Sequence, residues 1–403
     1  MAEERNSCVA AAISKSWQLK MALTKSYDVA VVGAGVFGAW TAWHLSKRGN
    51  RVLLLDAYGP AHARASSGGE SRIIRMGYGG DELYTRWSQR SLVQWKELFT
   101  ATCKPLFQET GVLWLAHRHG PREQLTVDTL QRCGVTFKIL DHAQLVATYP
   151  QINTENVDFA IFEPHSGVLL ARRAVAAVVD NAVRHGAEYR TAEIATERAS
   201  AQGSVKTTTG EIISAEYFVF ACGSWLGKIF PDVLASRIFP TRQEVFFFAP
   251  PPGDSSFSAP AMPTWLFQED QVYGMPDIES RGFKIAFDHH GPIVDPDTQS
   301  RFASPEAAEQ ARDYVARRFP ALRNSPIVES RVCQYENTSS GDFLVDRHPS
   351  RENVWLVGGG SGHGFKHGPA MGEHVADQIL GEIPAEPRFS LASKETSQRR
   401  AVY

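Results

Sequence analysis

The sequence predicts a two-part chain of class α/β + β: an α/β layer assembled from both ends of the chain, and a β-sheet-rich part inserted between them. Three observations carry that reading. Near the front, "YDVAVVGAGVFGAWTAWHLSKRGNRVLLLD" alternates an apolar strand, a glycine turn, a helix and a second strand. Near the end, "NVWLVGGGSGHGFKHGPAMGEHVADQIL" runs a strand through a glycine-rich turn into a helix. Between them lie short runs rich in aromatic and β-branched residues, such as "EVFFFAP" (244–250) and "FKIAFDHH" (283–290).

In the front segment, Asp28 to Val32 reads as a short strand, Gly33-Ala34-Gly35-Val36-Phe37-Gly38 opens a helix to about Lys47, and Arg51 to Leu55 is a second strand ending in Asp56. Each part suits a dinucleotide. Gly33 permits a tight turn, Gly35 lets backbone approach a pyrophosphate, and Gly38 lets helix and strand pack closely. The helix start at Val36 and Phe37 offers free N–H groups and a positive dipole end to phosphates. Asp56 stands where an acid accepts ribose hydroxyls. A bare glycine motif is weak, but here strand, helix, strand and acid all fall in place, which makes the layer Rossmann-like. The acid does not separate FAD from NAD.

Three later segments bear on that choice. In "SSGGESRIIRMGYG" (66–79), Arg72 and Arg75 are three apart and would share a face on a helical turn; alone, this reads as a solvated basic face. "AEYFVFACGSW" (215–225) is a buried strand ending in a small-residue turn, Ala221 to Ser224, and decides nothing alone. The last segment is stronger. A strand, Val354 to Val357, enters five glycines between Gly358 and Gly364, and a helix starts near Pro369. Such a loop lets backbone approach a ligand, and the helix end supplies positive potential suited to an anionic reduced flavin.

The bulk numbers set limits. A chain of 403 residues exceeds the usual single core. A hydrophobic share of 43%, a charged share of 21% and a net charge of −2 are those of a soluble globular protein without a nucleic-acid footprint. The five cysteines, Cys8, Cys103, Cys133, Cys222 and Cys333, are scattered, which argues for a reducing compartment and against a disulfide framework or a metal site. No apolar run is long enough for a membrane span. Residues 1–26 read as a tail in which Asn6 to Lys20 could be a short amphipathic helix and Met21 a second possible start; the polar 391–403 reads as another. With no secretory signal evident, the expected location is cytoplasmic.

At this point the chain resembles the flavin amine oxidases of the monomeric sarcosine oxidase, N-methyltryptophan oxidase and pipecolate oxidase type. The resemblance runs from about Tyr27 to Leu380 and rests on "VVGAGVFG", "SRIIR", "IFEPHSGVL", "GFK" around Lys284, Cys333 and "SGHGFK". It implies FAD, attached by a thioether to Cys333, thirty-three residues before Lys366. It places Gly362, His363, Gly364 and Lys366 at the cofactor, Arg75 and Lys366 as a clamp on the substrate carboxylate, and Arg72 beside the flavin, supporting its negative charge and its attachment. Tyr273, eleven residues before Lys284, would pack on the substrate and orient its amine. Lys284, which by itself reads as a lysine snorkelling from an apolar strand, would face the flavin and assist electron transfer to oxygen.

The implied division is an FAD-binding domain of 27–109, 167–239 and 340–390, discontinuous as in glutathione reductase, and a substrate domain of 110–166 and 240–339. The implied reaction is oxidation of a secondary amino acid such as sarcosine to an imine and hydrogen peroxide by a monomer whose partners are its amino-acid substrate and oxygen, with no nucleic acid and no membrane. A dehydrogenase of the same fold, an oxidase of glycine or a D-amino acid, and a non-catalytic nucleotide binder are the competing readings. Two departures stand out. Gly68 occupies the place of a family histidine ahead of "SRIIR", and Asp288, followed by His289 and His290, occupies the place of a pocket histidine. Either the strand shifts by one residue there, or an acid enters the pocket.

Overall fold

A computed structural model describes residues 26–117, 120–195 and 204–398. The expectations for Asn6 to Lys20, Met21 and Cys8 fall outside the described residues. The first strand begins at Ser26 and runs to Val32, at the centre of a seven-stranded sheet. It pairs in parallel with Val52–Asp56 on one side and Ile212–Phe220 on the other. Glu188–Thr191 extends the parallel order outward on the first side and Arg351–Gly358 on the second, where Leu344–His348 closes the edge antiparallel. Ser204–Lys206 adds an antiparallel pair to Ile212–Phe220.

Strand periodicity explains why these runs are apolar throughout. Val29 and Val31 enter the core beneath helices Val36–Lys47, Ala171–Arg184 and Gly368–Ile379. Ala30 and Val32 enter a second core on the opposite face, with Leu53, Leu55, Phe218 and Phe220.

The second sheet has eight strands in the order 327–337, 239–248, 283–287, 272–275, 264–267, 112–116, 159–163 and 138–141. All neighbours are antiparallel except 264–267 with 112–116. Its two faces differ. Phe246, Phe248, Phe283 and Ile285 point into an aromatic core shared with helix Pro305–Arg318. Val245, Phe247, Ala286 and Tyr273 form a small cluster on the other face. A three-stranded sheet, Arg72–Ile74, Phe107–Gln108 and Gly167–Leu169, completes the sheets among the described residues.

Two expectations are corrected. "SRIIR" is not a helical turn but a strand, with Arg72 opposite Leu169. Its arginines therefore point to opposite faces, and neither is a solvated surface charge. The segment from 391 onward is not a free polar tail at its start. Arg237 donates to Leu391 O and Lys394 O at 3.1 and 2.7 Å, and Lys394 is buried. Among the described residues, no helix is long and apolar enough to cross a membrane.

Candidate active site

The front turn is built as its glycines require. Gly33 has φ +104°, and a Cβ there would stand 2.4 Å from Ala221 O. At Gly38 a Cβ would meet Gly33 O at 1.9 Å, so helix and strand touch backbone to backbone. Helix Val36–Lys47 has no side-chain cap, and its Val36 N–H reaches Ser67 Oγ at 3.1 Å. Asp56 ends the second strand as expected and ties down the turn: it accepts Ala34 N–H at 2.8 Å, and Tyr58 and Gly59 N–H at 2.9 Å.

A long cleft starts at Asp56 and Tyr58, passes Gly33, Gly35, Val36 and Phe37, and ends between Cys333 and the glycines 358–364. Gly362, with φ +78°, packs so closely on Tyr335 that a Cβ would stand 2.8 Å from its ring. Gly364 lines the cleft, whereas the His363 ring stacks on Phe343 and pairs with Gly341 O at 3.0 Å, away from it.

At the cleft's end Arg72 stands beside Cys333. Its guanidinium donates to Ser66 O at 2.6 Å, Ser71 O at 2.8 Å and Cys333 Sγ at 3.4 Å. Burial works against its charge, but Cys333, Tyr273 and Tyr335 outweigh that and hold its pKa above the ordinary value. Gly68 is required here: a Cβ would meet His62 O at 2.0 Å, so the backbone leaves no room for a histidine.

Lys284 does not snorkel. It shares the strand face of Ala286, is 3% exposed, and donates to Ser71 O and Ser71 Oγ at 2.9 and 3.1 Å. Burial, reinforced by Arg72, pushes its pKa well down. It lines two cavities, one of about 240 Å³ beside Ser71 and Phe247 and one of about 20 Å³ that also touches Arg72 and Cys333.

A separate pocket adjoins the cleft and holds Arg75, Tyr273, Lys366, Tyr335, Asp288 and His290. Arg75 is buried between the rings of Tyr78 and Trp114, 4.4 and 4.7 Å from their centroids, and bonds Gly77 O. Lys366 Nζ donates to Tyr78 Oη at 2.8 Å and to His363 O at 2.9 Å. Burial first, then Arg75, press its pKa well below that of an ordinary lysine. A buried guanidinium beside a buried amine that an anion would re-protonate makes a place for a carboxylate. Burial raises the Tyr273 pKa to about 12.

These residues meet in one region, although they span the chain from Gly33 to Lys366. A family model described as FAD dependent oxidoreductase matches residues 28–378. The chain belongs to that family. It is 31% identical to monomeric sarcosine oxidase of Streptomyces avermitilis, with 91% of this chain and 96% of that one covered. It is 30% identical to peroxisomal sarcosine oxidase of Mus musculus, covering 92% and 96%, and 29% identical to N-methyl-L-tryptophan oxidase of Citrobacter koseri, covering 89% and 96%. In fold it resembles L-proline dehydrogenase from P. horikoshii, with a TM-score of 0.78 at 22% identity over 91% of this chain and 96% of that one.

The cleft fits the family's FAD. The glycine turns at 33–38 and 358–364 leave no space for Cβ atoms at the points of closest packing. The helix start, which its own N-cap glycine does not cap, suits the pyrophosphate, and Arg72 suits an electron-rich ring system.

Several residues escaped the sequence reading or stayed open in it. Asp288 does enter the pocket, because strand 283–287 keeps its register and residues 284, 286 and 288 share a face. Tyr335 follows Cys333 by two residues and shares its face, a parity signal that was available. Glu163 is fully buried and accepts Met76 N, Gly77 N, Trp114 Nε1 and Ser166 Oγ, so it fixes the turn that carries Arg75. Arg122, near the start of helix Pro121–Arg132, has its pKa lowered by burial and by the charge of Arg75. No local pattern marks it.

Proposed function

We propose that the protein is an FAD-dependent oxidase of a secondary amino acid, N-methyl or cyclic, such as sarcosine. It would act on the CH–NH group to give an imine, hydrolysed to aldehyde and amine, with release of hydrogen peroxide. One observation carries this reading: the buried Arg75–Lys366 pair opens into a small pocket that adjoins the cofactor cleft. Names of relatives at about 30% identity point the same way.

FAD supplies the two-electron acceptor; the chain supplies placement. Arg75 and Lys366 hold the carboxylate, and Tyr273 packs beside the amine. A substrate that fills this small pocket would displace its water, which strengthens each charge contact. Cys333, reached by Arg72, is the proposed covalent anchor of the flavin. Lys284, buried beside Ser71, is the proposed oxygen-side charge. The same reading assigns 27–109, 167–239 and 340–390 to the cofactor and 110–166 with 240–339 to the substrate, supported by which strands share a sheet. Cytoplasmic residence belongs to it too, supported by the free Cys103, Cys133, Cys222 and Cys333.

The test is anaerobic mixing of the yellow protein with sarcosine, pipecolate, N-methyltryptophan, glycine or proline, followed by air. Bleaching by a secondary amino acid and recovery with stoichiometric peroxide is the expected result. Bleaching by glycine alone would move the assignment to a primary-amine oxidase. Recovery only with an artificial acceptor would make it a dehydrogenase.

A further inference from the structure

After helix Gly368–Ile379 the chain makes two short turns, Pro387–Phe389 and Leu391–Ser393, and is fastened at successive points. Arg388 pairs with Asp81 and with Asp342, each at 2.7 Å. Leu391 N–H donates to Asp346 Oδ2 at 2.7 Å, Arg237 holds the carbonyls of Leu391 and Lys394, and Lys394 is buried. Glu395 N–H donates to Ser339 Oγ at 2.9 Å. Thr396 and Ser397 then cross the surface exposed, and the Gln398 amide bonds Nδ1 of His290.

His290 lines the pocket that holds Arg75 and Lys366. Arg72, Tyr335, Gly362 and Phe365 line both that pocket and the cofactor cleft, so they mark its inner side. Arg75 and Lys366 are buried beneath it. Asp288 and His290 are half-buried and do not line the cleft, which puts them on the side toward solvent. Gln243 pins the backbone on both sides of His290: it donates to His289 O at 3.0 Å and accepts Gly291 N–H at 3.1 Å. A pinned backbone still leaves the direction of a side chain open. The imidazole meets the Tyr335 ring edge-on, with centroids 6.3 Å apart, and the Gln398 bond holds it there.

We propose that Glu395–Gln398 is a strap that fixes His290 as the outer wall of the substrate pocket, so that the site takes small secondary amino acids such as sarcosine and disfavours bulky ones such as N-methyltryptophan. The proposal deepens the amine oxidation proposed above and rests on it. Gln398 is a positioning residue, because it acts through the imidazole. The pocket encloses only about 60 Å³. A ligand that fits inside leaves the strap bond intact. A ligand that needs the room of the imidazole must break that bond, and one hydrogen bond of this kind is worth about fivefold in affinity.

The test titrates the flavin absorbance of the oxidised holoenzyme with two carboxylates, methoxyacetate as the small probe and indole-3-acetate as the bulky one. Wild type is compared with Gln398→Ala, His290→Ala and the double variant, and the ratio of the two dissociation constants is read. Gln398→Ala should shift that ratio about fivefold toward indole-3-acetate, and His290→Ala at least as far. The double variant should shift it no further than His290→Ala alone, since two residues acting through one ring are not additive. A strap that only docks the chain would change Tm and leave the ratio where it was. A ratio in Gln398→Ala within about twofold of wild type, or a double variant whose shift is the product of the two single ones, would overturn the inference. Bleaching of wild type by sarcosine would then leave the proposed reaction standing. A wild type that binds neither carboxylate and that no amino acid bleaches would overturn both. Should Gln398→Ala not fold, Gln398→Met keeps the side-chain length, loses the bond and decides the matter by the same ratio.

Discussion

Replacing Lys366 with methionine tests the carboxylate site most directly, because the structure gives both a magnitude and a sign. The change keeps side-chain length and removes the charge. Two contacts are lost, to Tyr78 Oη and His363 O. Tyr78 keeps a bond to His367 Nε2 at 2.8 Å, and each lost hydrogen bond costs on the order of 1 kcal/mol. That cost falls on free and bound protein alike and drops out of the affinity. Removing one charged partner from a desolvated carboxylate costs about 2–5 kcal/mol, which is at least roughly thirtyfold in dissociation constant.

The sign follows from Lys366 itself. Burial and Arg75 lower its pKa in the free protein, and a bound carboxylate raises it again. Binding therefore takes up a proton at any pH between those two values. Wild-type affinity for methoxyacetate should be highest at low pH and fall by up to tenfold per unit as pH rises through that window. Lys366→Met should bind more weakly and show no such slope, so the two curves converge at high pH. The assay is a titration of flavin absorbance at several pH values. A variant that binds within about threefold of wild type at the low-pH end of the window, or that keeps the slope, would refute the reasoning.

Two further outcomes are expected. FAD should stay with the wild-type chain after acid precipitation and be lost from Cys333→Ala; flavin released from wild type would end the anchor assignment, and Gly68 makes partial attachment the form of failure to look for. Lys284→Met should change anaerobic amine oxidation modestly and slow reoxidation of the reduced flavin by air by orders of magnitude; equal reoxidation rates in stopped flow would remove Lys284 from the oxygen reaction.

The βαβ unit was legible because its cause is local. The turn at Gly33, the helix start at Val36 and the acid at the strand end each leave a mark within thirty residues. The second sheet was legible as strand-forming composition, but its order was not. The parallel pairing of 264–267 with 112–116 joins segments about 150 residues apart, and no local pattern encodes it. "SRIIR" misled for a related reason. A spacing of three is ambiguous until the period is known, and pairing with Gly167–Leu169 sets that period at two. Glu163 and Arg122 were invisible because their partners, the turn at 76–77 and the guanidinium of Arg75, come from elsewhere in the chain.

That period of two also explains how one short strand serves two sites. Arg72 and Arg75 lie three residues apart at the strand Arg72–Ile74, so they leave it in opposite directions. Arg72 reaches Cys333 and lowers the pKa of Lys284; Arg75 turns between Tyr78 and Trp114 and lowers that of Lys366. Each lysine is buried beside an arginine, which favours its neutral form until negative charge arrives nearby. For Lys366 that charge would be the substrate carboxylate; for Lys284 it would be charge developing near Cys333. A helical turn would have put both arginines on one face and left one lysine without its neighbour. The separation of the proposed substrate side from the proposed oxygen side thus rests on the backbone conformation of three residues, Arg72, Ile73 and Ile74.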